Sequence, residues 1–476
     1  MFIQLTNGIL RNLQKLNFWI LISFLVSLGF VIQFKFLDDS VGHNQKYNTV
    51  VSDGKGYYAY LPAIFIYNDL NFGFNQTVEK HDHPETWYTD YRYKLDKKRI
   101  FTKYYVGTAI AYSPFFLVAH GWSLLMGWQA DGYTAVYHGS VLIAALFYMV
   151  ITMIFIGRIL DFFSINNWIK VLCIVGTYFG TNWFYYATWE ASLSHIYSAG
   201  AISAFLYYNI LFMKTNSRRW GLVVGVLLGF IVLLRPLNVL VILFLPLFHK
   251  NFSIFLVWFK SLFAKPLVLG LSFIAFLATI SIQFIIYKIQ IDQWYIYAYL
   301  NEGFNFLRPH LIDFLFSFRK GFFVYTPIFL LSLVGLFYWF KSTFFHAFWW
   351  LLSMIILTYV LSSWHMWWYG GTFGTRVLIE YYIIWIIPLA ILFQKTKGNA
   401  KTTFIIIFFF FIFNGVLQQY QYRKGIIHYE DMNWQKYKDA LLYPIIPYGL
   451  LAFHFQKHIF VRIFIIEIYY RFIHYL

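Results

Sequence analysis

Long apolar runs separated by short polar loops dominate this chain. Runs of roughly 18 or more apolar residues recur along it, and each is long enough to cross the hydrocarbon core of a bilayer. We predict membrane-spanning helices near 18–36, 134–156, 168–186, 193–213, 220–234, 236–248, 267–289, 322–340, 345–363, 377–393 and 402–418. The pattern therefore predicts an all-α, polytopic transmembrane fold with about 11–13 spans.

Two parts of the chain leave the span count open. The runs 220–234 and 236–248 are short and are broken at Arg235–Pro236, which is typical of a helical hairpin. The C-terminal region 419–476 has a topology that the pattern does not decide. Its proline-containing part 441–455 is a further candidate span, and 457–476 has the spacing of charges that an interfacial helix shows. We expect the whole chain, 1–476, to form a single polytopic membrane domain.

The basic residues near the N-terminus predict the orientation of the first span. Lys and Arg in short loops favour the cytoplasmic side, so Arg11 and Lys15 place the N-terminus inside. The apolar run that follows is long and has no small-residue cleavage site after it, so we expect a retained anchor rather than a signal peptide. Residues 35–133 then form a long first extracytoplasmic loop.

An apolar stretch inside that loop, 104–128, decides the orientation of everything after it. If it crossed the membrane, the later basic loops at Arg158, Lys214 and Lys395 would all face outward. If it lies on the membrane surface or re-enters it, the same loops face the cytoplasm, which the positive-inside rule favours. We therefore predict interfacial or re-entrant helices within 35–133.

Composition supports a membrane protein and excludes a nucleic-acid-binding one. The chain is 60% hydrophobic and 12% charged, with a mean hydropathy of +0.58, whereas about half apolar is usual for a soluble protein. The net charge of +17 is spread over short loops and forms no basic domain, so we expect no nucleic-acid partner. The single cysteine, Cys173, permits no intrachain disulfide and does not indicate a compartment.

The segment S-D-G-K-G-Y-Y-A-Y-L-P, residues 52–62, places one carboxylate beside glycines and tyrosines just beyond the first span. Asp53 precedes the amphipathic aromatic segment 57–67, which we predict to be a surface-lying helix. Asp53 is then a candidate general base, and Tyr57 and Tyr58 are candidate substrate contacts. The alternative is that Asp53 caps this helix. Asp38 and Asp39, directly after the first span, are either solvated residues of a helix end or rival bases.

Two further groups lie in the first loop. His81, Asp82, His83 and Glu85 form a dense His and acid group that matches no trusted ligand spacing, so we predict a solvated loop and assign no metal. The sequence leaves open whether a divalent metal assists. Lys103 directly precedes the stretch 104–128. Its side chain either snorkels to the membrane interface or contacts a phosphate.

The later outer loops contain the other candidates. Ionisable residues at membrane depth are functional candidates, which singles out Glu190 and His195. The loop W-H-M-W-W-Y-G-G-T-F-G-T-R, residues 364–376, combines glycines that permit close backbone approach with an arginine that can bind phosphate through two hydrogen bonds. The alternative is an aromatic belt with a snorkelling arginine. The candidate residues in and near this loop are His365, Trp368, Tyr369, Arg376 and, before the span 322–340, Arg319.

These features resemble the GT-C glycosyltransferases. Asp53 followed by tyrosines resembles the first outer loop of that family, Lys103-Tyr104-Tyr105 resembles the opening of its second loop helix, and Y-G-G-T-F-G-T-R, 369–376, resembles a late-loop motif of bacterial members. The layout also resembles that of protein O-mannosyltransferases and lipid A aminoarabinose transferases. The chain departs from the family in two places: Gly54 stands where an acidic pair is usual, and Lys103 lacks a double proline.

The resemblance implies a function. The donor would be a polyprenyl-phosphate sugar, the acceptor a lipid, glycan or protein, and the site would face outward from the inner (cytoplasmic) membrane of a bacterium, among membrane lipids. Asp53 would act as general base in an inverting transfer, Lys103, Arg376 and Arg319 would bind the donor phosphate, and no cofactor would be needed. Substrate contacts would come from Tyr57, Tyr58, Glu190, His195, His365, Trp368 and Tyr369.

Three other classes of function remain open at this point. A transporter or flippase of lipid-linked sugars would show internal repeats and charges near the bilayer midplane, and no repeat is visible. A glycan polymerase or ligase usually has its large loop late in the chain. A purely structural membrane subunit would not need Asp, Lys, Arg and aromatic residues gathered on one face.

Overall fold

The computed structural model of the protein describes residues 15–37, 48–83, 90–96 and 99–442. Nearly all regular structure in these residues is helical, which confirms the all-α fold class. The exception is a two-stranded antiparallel sheet, β1 (Tyr93–Lys94) and β2 (Ile100–Phe101). Asp38, Asp39 and Glu85 lie outside the described residues, as do 443–455 of the candidate span 441–455 and all of 457–476.

Helices of very different lengths follow one another along the chain. The α-helices are α1 Leu16–Val31, α2 Asp53–Tyr58, α3 Tyr60–Phe65, α4 Gly107–Leu125, α5 Ala135–Phe162, α6 Asn167–Gly180, α7 Asn182–Thr188, α8 Ser194–Thr215, α9 Arg218–Leu234, α10 Phe252–Phe263, α11 Pro266–Ile291, α12 Leu311–Phe316, α13 Phe322–Tyr325, α14 Leu330–Ser342, α15 Phe344–Ser362, α16 Tyr382–Lys395, α17 Gly398–Arg423 and α18 Trp434–Leu442. Three 3₁₀ segments, Pro236–Phe248, Pro327–Phe329 and Arg376–Tyr381, and two π-helical segments, Ile32–Leu37 and Asn75–Asp82, complete the set.

Seven helical segments in the described residues are long and apolar enough to cross a membrane. They are Leu16–Lys35, Ala135–Phe162, Ser194–Thr215, Pro266–Ile291, Phe344–Ser362, Arg376–Lys395 and Gly398–Arg423. The segment Pro236–Phe248 and α10, bent by 116° at the residues between them, would make an eighth if they form one broken span. A multi-pass helical membrane protein is therefore confirmed, whereas the total of about 11–13 spans stays a prediction.

The other predicted spans fall on shorter helices. The run 168–186 is divided between α6 and α7 by the extended residue Thr181. The run 220–234 lies on α9, and the pattern break at Arg235–Pro236 is real, because the chain leaves the α-helix there for a 3₁₀ helix. The stretch 104–128 contains the single helix α4, which is not one of the seven.

The most buried helices lie at the centre of the bundle and position the candidate site. α8 packs against α5, α9 and the 3₁₀ segment Arg376–Tyr381, and most of its residues are buried. α16, which continues that 3₁₀ segment, is buried almost throughout. Few residues of α11 and α17 are fully buried, as expected of helices that face lipid.

A stripe of glycines joins α9 to α11. Gly221, Gly225 and Gly229 recur every fourth residue, so they share one face of α9. A Cβ added to Gly225 would lie 2.1 Å from the Ser272 carbonyl oxygen, so the two backbones are in direct contact there. Small residues at this spacing allow close helix packing in a bilayer, where lipid removes most of the hydrophobic driving force between helices.

Gly225→Ala should therefore destabilise the protein, because its methyl group overlaps the Ser272 carbonyl. We expect a loss of about 1–3 kcal/mol, the usual cost of overpacking, seen as a lower thermal unfolding midpoint in detergent. Gly270→Ala is the matched control on the partner helix, since nothing lies within 4 Å of the Cβ position of Gly270. Equal midpoints for the two variants would contradict the close-packing account.

Candidate functional site

Two glycines bring Asp53 to the start of α8. Asp53 is the first residue of α2, after Ser52, whose φ of 49° turns the chain sharply. A Cβ on Gly54 would lie 2.1 Å from Ser192 Oγ, and one on Gly56 would lie 1.9 Å from the Tyr104 ring. These glycines therefore serve close packing, and no side-chain capping bond is present at this helix start.

The Asp53 carboxylate binds two side chains that are distant in sequence. Its Oδ2 lies 2.8 Å from an Arg376 terminal nitrogen, and its Oδ1 accepts a hydrogen bond of 2.8 Å from the Tyr104 hydroxyl. The Asp53 side chain is 27% exposed and that of Arg376 is 12% exposed. Burial would raise the pKa of Asp53, but the charge of Arg376 and the hydrogen bonds from Tyr104 and Arg376 outweigh it and hold the pKa below its usual value.

Lys103 contributes charge to this site without touching Asp53. Its Nζ donates a hydrogen bond of 2.8 Å to Glu302, and Tyr93, Tyr104 and Tyr299 place their rings within 6 Å of the Lys103 ammonium. Burial lowers the pKa of Lys103, but the bond to Glu302 outweighs this and raises it. A permanently charged Lys103 also helps to lower the pKa of Asp53.

A buried triad of His195, Arg235 and Glu380 adjoins this site. Glu380 Oε1 lies 2.8 Å from His195 Nδ1 and 3.2 Å from Arg235 Nε, and the Glu380 and His195 side chains are 1% exposed. Arg235 also lies 3.5 Å from His195 Nε2. Glu380 was not among the residues predicted from the sequence, although a single carboxylate in the apolar run 377–393 is itself a signal of function or pairing.

Glu190 lies near three basic side chains, and one of its carboxylate oxygens has no hydrogen-bond partner. Its Oε2 is buried with no hydrogen-bond partner, while Arg376, Lys320 and Lys35 act on it electrostatically. Burial raises the pKa of Glu190 to about 7, against the opposing effect of Arg376. We refer to Asp53, Lys103, Tyr104, Glu190 and Arg376 as the Asp53 cluster.

Two neighbouring lysines are bound to backbone carbonyls rather than to carboxylates. Lys320 donates to the Tyr429 carbonyl, and Lys35 Nζ donates to the Trp189 carbonyl at 3.0 Å. Burial lowers the pKa of Lys320 to about 7. Among the described residues no carboxylate contacts either ammonium group, and an anion arriving here would favour their charged form.

Some predicted substrate residues lie beside the Asp53 cluster. The Tyr57 ring packs edge-on against Tyr104 at 4.9 Å, and its hydroxyl accepts a bond of 3.3 Å from Ser194. The left-handed residues Tyr369 and Gly370 carry the late loop past Arg376, and a Cβ on Gly370 would lie 3.9 Å from the guanidinium. Tyr369 itself donates its hydroxyl to the Leu361 carbonyl.

Other predicted residues have different partners. Tyr58 is 1% exposed and donates its hydroxyl to the Gly132 carbonyl. Segment 57–67, predicted to be one surface-lying helix, is instead divided between α2 and α3, and its tyrosines Tyr57, Tyr58 and Tyr60 are buried. The Tyr58 ring, for example, packs against Tyr112 and Phe116 of α4 and against Tyr133 after it, and this burial is favourable.

The remaining late-loop candidates have partners outside the Asp53 cluster. Arg319 donates from Nε to the Glu430 carbonyl at 3.1 Å and stacks on Trp368 at 3.6 Å, so both take part in a local contact. His365 is exposed and packs against Trp364. No contact in the described structure joins Arg319 or His365 to Asp53.

The His and acid group of the first loop forms pairs. His81 binds its neighbour Asp82 at 2.7 Å, and His83 binds Asp131 at 2.7 Å. Within the ranges that the structure describes, no three His, Cys, Asp or Glu residues converge as metal ligands would.

No protein-family model and no curated protein matches this chain.

Glu190→Gln should change the pH dependence of stability. Burial raises the pKa of Glu190 to about 7, so the folded state favours the neutral carboxyl. The stability that this preference gives the wild type is lost as pH rises through the folded pKa. Glutamine resembles the neutral form at every pH. As pH rises from 5 to 8, we expect the unfolding midpoint of Glu190→Gln to rise relative to that of the wild type.

Thermal unfolding in detergent at several pH values measures this. If the difference between the two midpoints stayed constant across that range, or changed in favour of the wild type, burial would not raise the pKa of Glu190.

Proposed function

We propose that this protein is a polyprenyl-phosphate-sugar-dependent glycosyltransferase of the GT-C type, with its site on the extracytoplasmic face. The observation that supports it most directly is the contact of 2.8 Å between Asp53 and Arg376, which pairs a candidate base with a candidate phosphate ligand at one end of a helical membrane bundle. The resemblance of the first and late loops to that family gives the reaction class. The proposal includes the finer layout of about 11–13 spans with interfacial helices in 35–133.

In the proposed reaction Asp53 removes the proton of the acceptor hydroxyl as general base. The acceptor oxygen attacks the anomeric carbon, the bond from that carbon to the phosphate oxygen breaks, and the configuration inverts. The polyprenyl phosphate leaves as an anion, which Arg376 and Lys103 stabilise, because preorganised charge is usually a large contribution to catalysis. The apolar helices hold the prenyl chain.

The distribution of contacts changes one predicted role. Arg319 is engaged by Glu430 and Trp368, whereas the Lys320 ammonium acts on both Glu190 and Arg376. We therefore assign the third phosphate-binding charge to Lys320. Arrival of a phosphate would raise the pKa of this lysine, since an adjacent anion favours the charged form.

The ion pair also sets a condition on the order of events. A carboxylate whose pKa is lowered by Arg376 is a weak base, and the efficiency of general-base catalysis falls with the pKa of the base. The donor phosphate competes for the same guanidinium. In this account donor binding draws Arg376 from Asp53, so the base becomes stronger only when a donor is present.

A transporter of lipid-linked sugars is the second candidate, and the triad of His195, Arg235 and Glu380 favours it. Ionisable groups buried between membrane helices mark substrate or proton pathways in transporters. The triad lies beside the Asp53 cluster, however, so it also fits a role in holding Arg376 and Tyr57 in place. Movement of labelled lipid between leaflets by the reconstituted protein, without transfer of sugar, would select the transporter.

Asp53→Asn should abolish most transfer with the fold intact. We expect a loss on the order of 10²- to 10⁴-fold, the usual contribution of a general base, because the amide accepts no proton. Purified protein in detergent would be given radiolabelled polyprenyl-phosphate sugars with membrane extract as acceptor. Asp292→Asn is the matched control, since Asp292 is exposed, has left-handed backbone that asparagine tolerates, and binds Lys288.

Near-normal turnover by a folded Asp53→Asn protein would remove Asp53 from the mechanism. Asp38 and Asp39 would then be the bases to test next.

Tyr104→Phe should move the acidic limb of the transfer reaction to higher pH. The Tyr104 hydroxyl donates to Asp53 and lowers its pKa, so its loss raises that pKa, and more alkaline conditions are needed to ionise the base. The measurement is the pH profile of the transfer rate. Tyr67→Phe is the control, because its hydroxyl donates to the Asp131 carbonyl in the same loop. An unchanged limb, or a shift to lower pH, would contradict the role of Asp53.

A further inference from the structure

A cavity of about 230 Å³ lies at the end of the bundle opposite to Asp53. α5 begins beside the Asp53 loop, where His138 accepts the N–H of Thr49 at 3.0 Å, and it ends at Phe162 in the cavity wall. Its 28 residues span about 42 Å at 1.5 Å per residue. The cavity therefore lies at the other boundary of the bilayer that these helices would cross.

The polar part of the cavity wall is basic. Lys214, at the end of α8, and Lys250, before α10, are exposed, and no carboxylate pairs with either of them in the part of the chain that the structure describes. His249 lies between α10 and the preceding 3₁₀ segment and is 7% exposed. Its ring makes a loose contact with the Leu245 backbone, and no side chain in the described residues binds either ring nitrogen. An incompletely satisfied buried polar group is costly, so a ligand that binds the other nitrogen would be favoured.

The rest of the wall is apolar and continues onto a lipid-facing surface. Trp258 and Ile254 line the cavity from α10, which is bent by 116° from the segment before it. On the same helix Phe252, Val257 and Phe263 are between 43% and 68% exposed. A short helix with exposed large apolar side chains is typical of the membrane interface.

We infer that this cavity binds the headgroup of an anionic phospholipid. The phosphate oxygens would accept hydrogen bonds from the ammonium groups of Lys214 and Lys250 and from a ring N–H of His249. The acyl chains would lie along the exposed apolar residues of α10. Basic pockets between membrane helices bind anionic lipid headgroups in this way.

The apolar surroundings distinguish a lipid from a soluble phosphate compound. A soluble ligand would gain only the contacts to the three polar side chains, whereas a lipid also covers apolar side chains, which is favourable in proportion to the area removed from water. The inference does not depend on the proposed transfer reaction, because none of the Asp53 cluster lines this cavity.

Native mass spectrometry of the full-length protein in detergent, with added phosphatidylglycerol or phosphatidylcholine, tests the inference. We expect at least ten-fold greater retention of phosphatidylglycerol, and a loss of about ten-fold in that retention for the double variant Lys214→Gln, Lys250→Gln, since each lysine contributes to anionic lipid binding. The matched control is Lys260→Gln, Lys265→Gln, which removes the same charge from nearby exposed positions outside the cavity.

His249→Phe provides a second variant that leaves the two lysines in place. It should also lose phosphatidylglycerol, because it removes the ring N–H and fills part of the cavity. Equal retention of both lipids would overturn the inference, as would an equal loss in the control variant. Glycerol phosphate binding as tightly as phosphatidylglycerol would also overturn it, in favour of a soluble phosphate ligand.

Discussion

The ion pair between Asp53 and Arg376 joins the first loop to the most buried helical segment of the bundle, and the surrounding charges depend on it. Taking both groups largely out of water is costly, and removal of one partner would leave the other charge uncompensated. Tyr104 binds the second carboxylate oxygen, so both oxygens of Asp53 are occupied. Such a pair is weak evidence for stability alone, so we link its position to the proposed transfer reaction.

The glycines of this structure make that pair possible. Gly54 and Gly56 let α2 approach Ser192 and Tyr104, which directs Asp53 toward Arg376. Gly370 supplies the left-handed backbone, φ 78°, that the late loop adopts beside the guanidinium. The triad of His195, Arg235 and Glu380 joins the start of α8 to the 3₁₀ segment that begins at Arg376.

Hydropathy and residue chemistry predict much of this from the sequence alone. The helical class and the multi-pass character follow from the apolar runs. Asp53, Lys103 and Arg376 are candidates because they are charges placed at the ends of those runs. The contact between Asp53 and Arg376 does not follow, because it depends on how distant helices pack. Glu380 was missed since averaged hydropathy hides a single carboxylate in an apolar run. The contacts of Tyr58 with Gly132 and of Arg319 with Glu430 could not be predicted either, because they depend on tertiary packing.

The central claim is that a donor phosphate takes Arg376 from Asp53. A structure of the protein in lipid nanodiscs with bound polyprenyl phosphate tests it most directly. The account predicts the phosphate within hydrogen-bond distance of the Arg376 guanidinium, with the contact to Asp53, 2.8 Å in the unliganded protein, opened beyond about 4 Å. A phosphate bound elsewhere, with the ion pair between Asp53 and Arg376 intact, would contradict it.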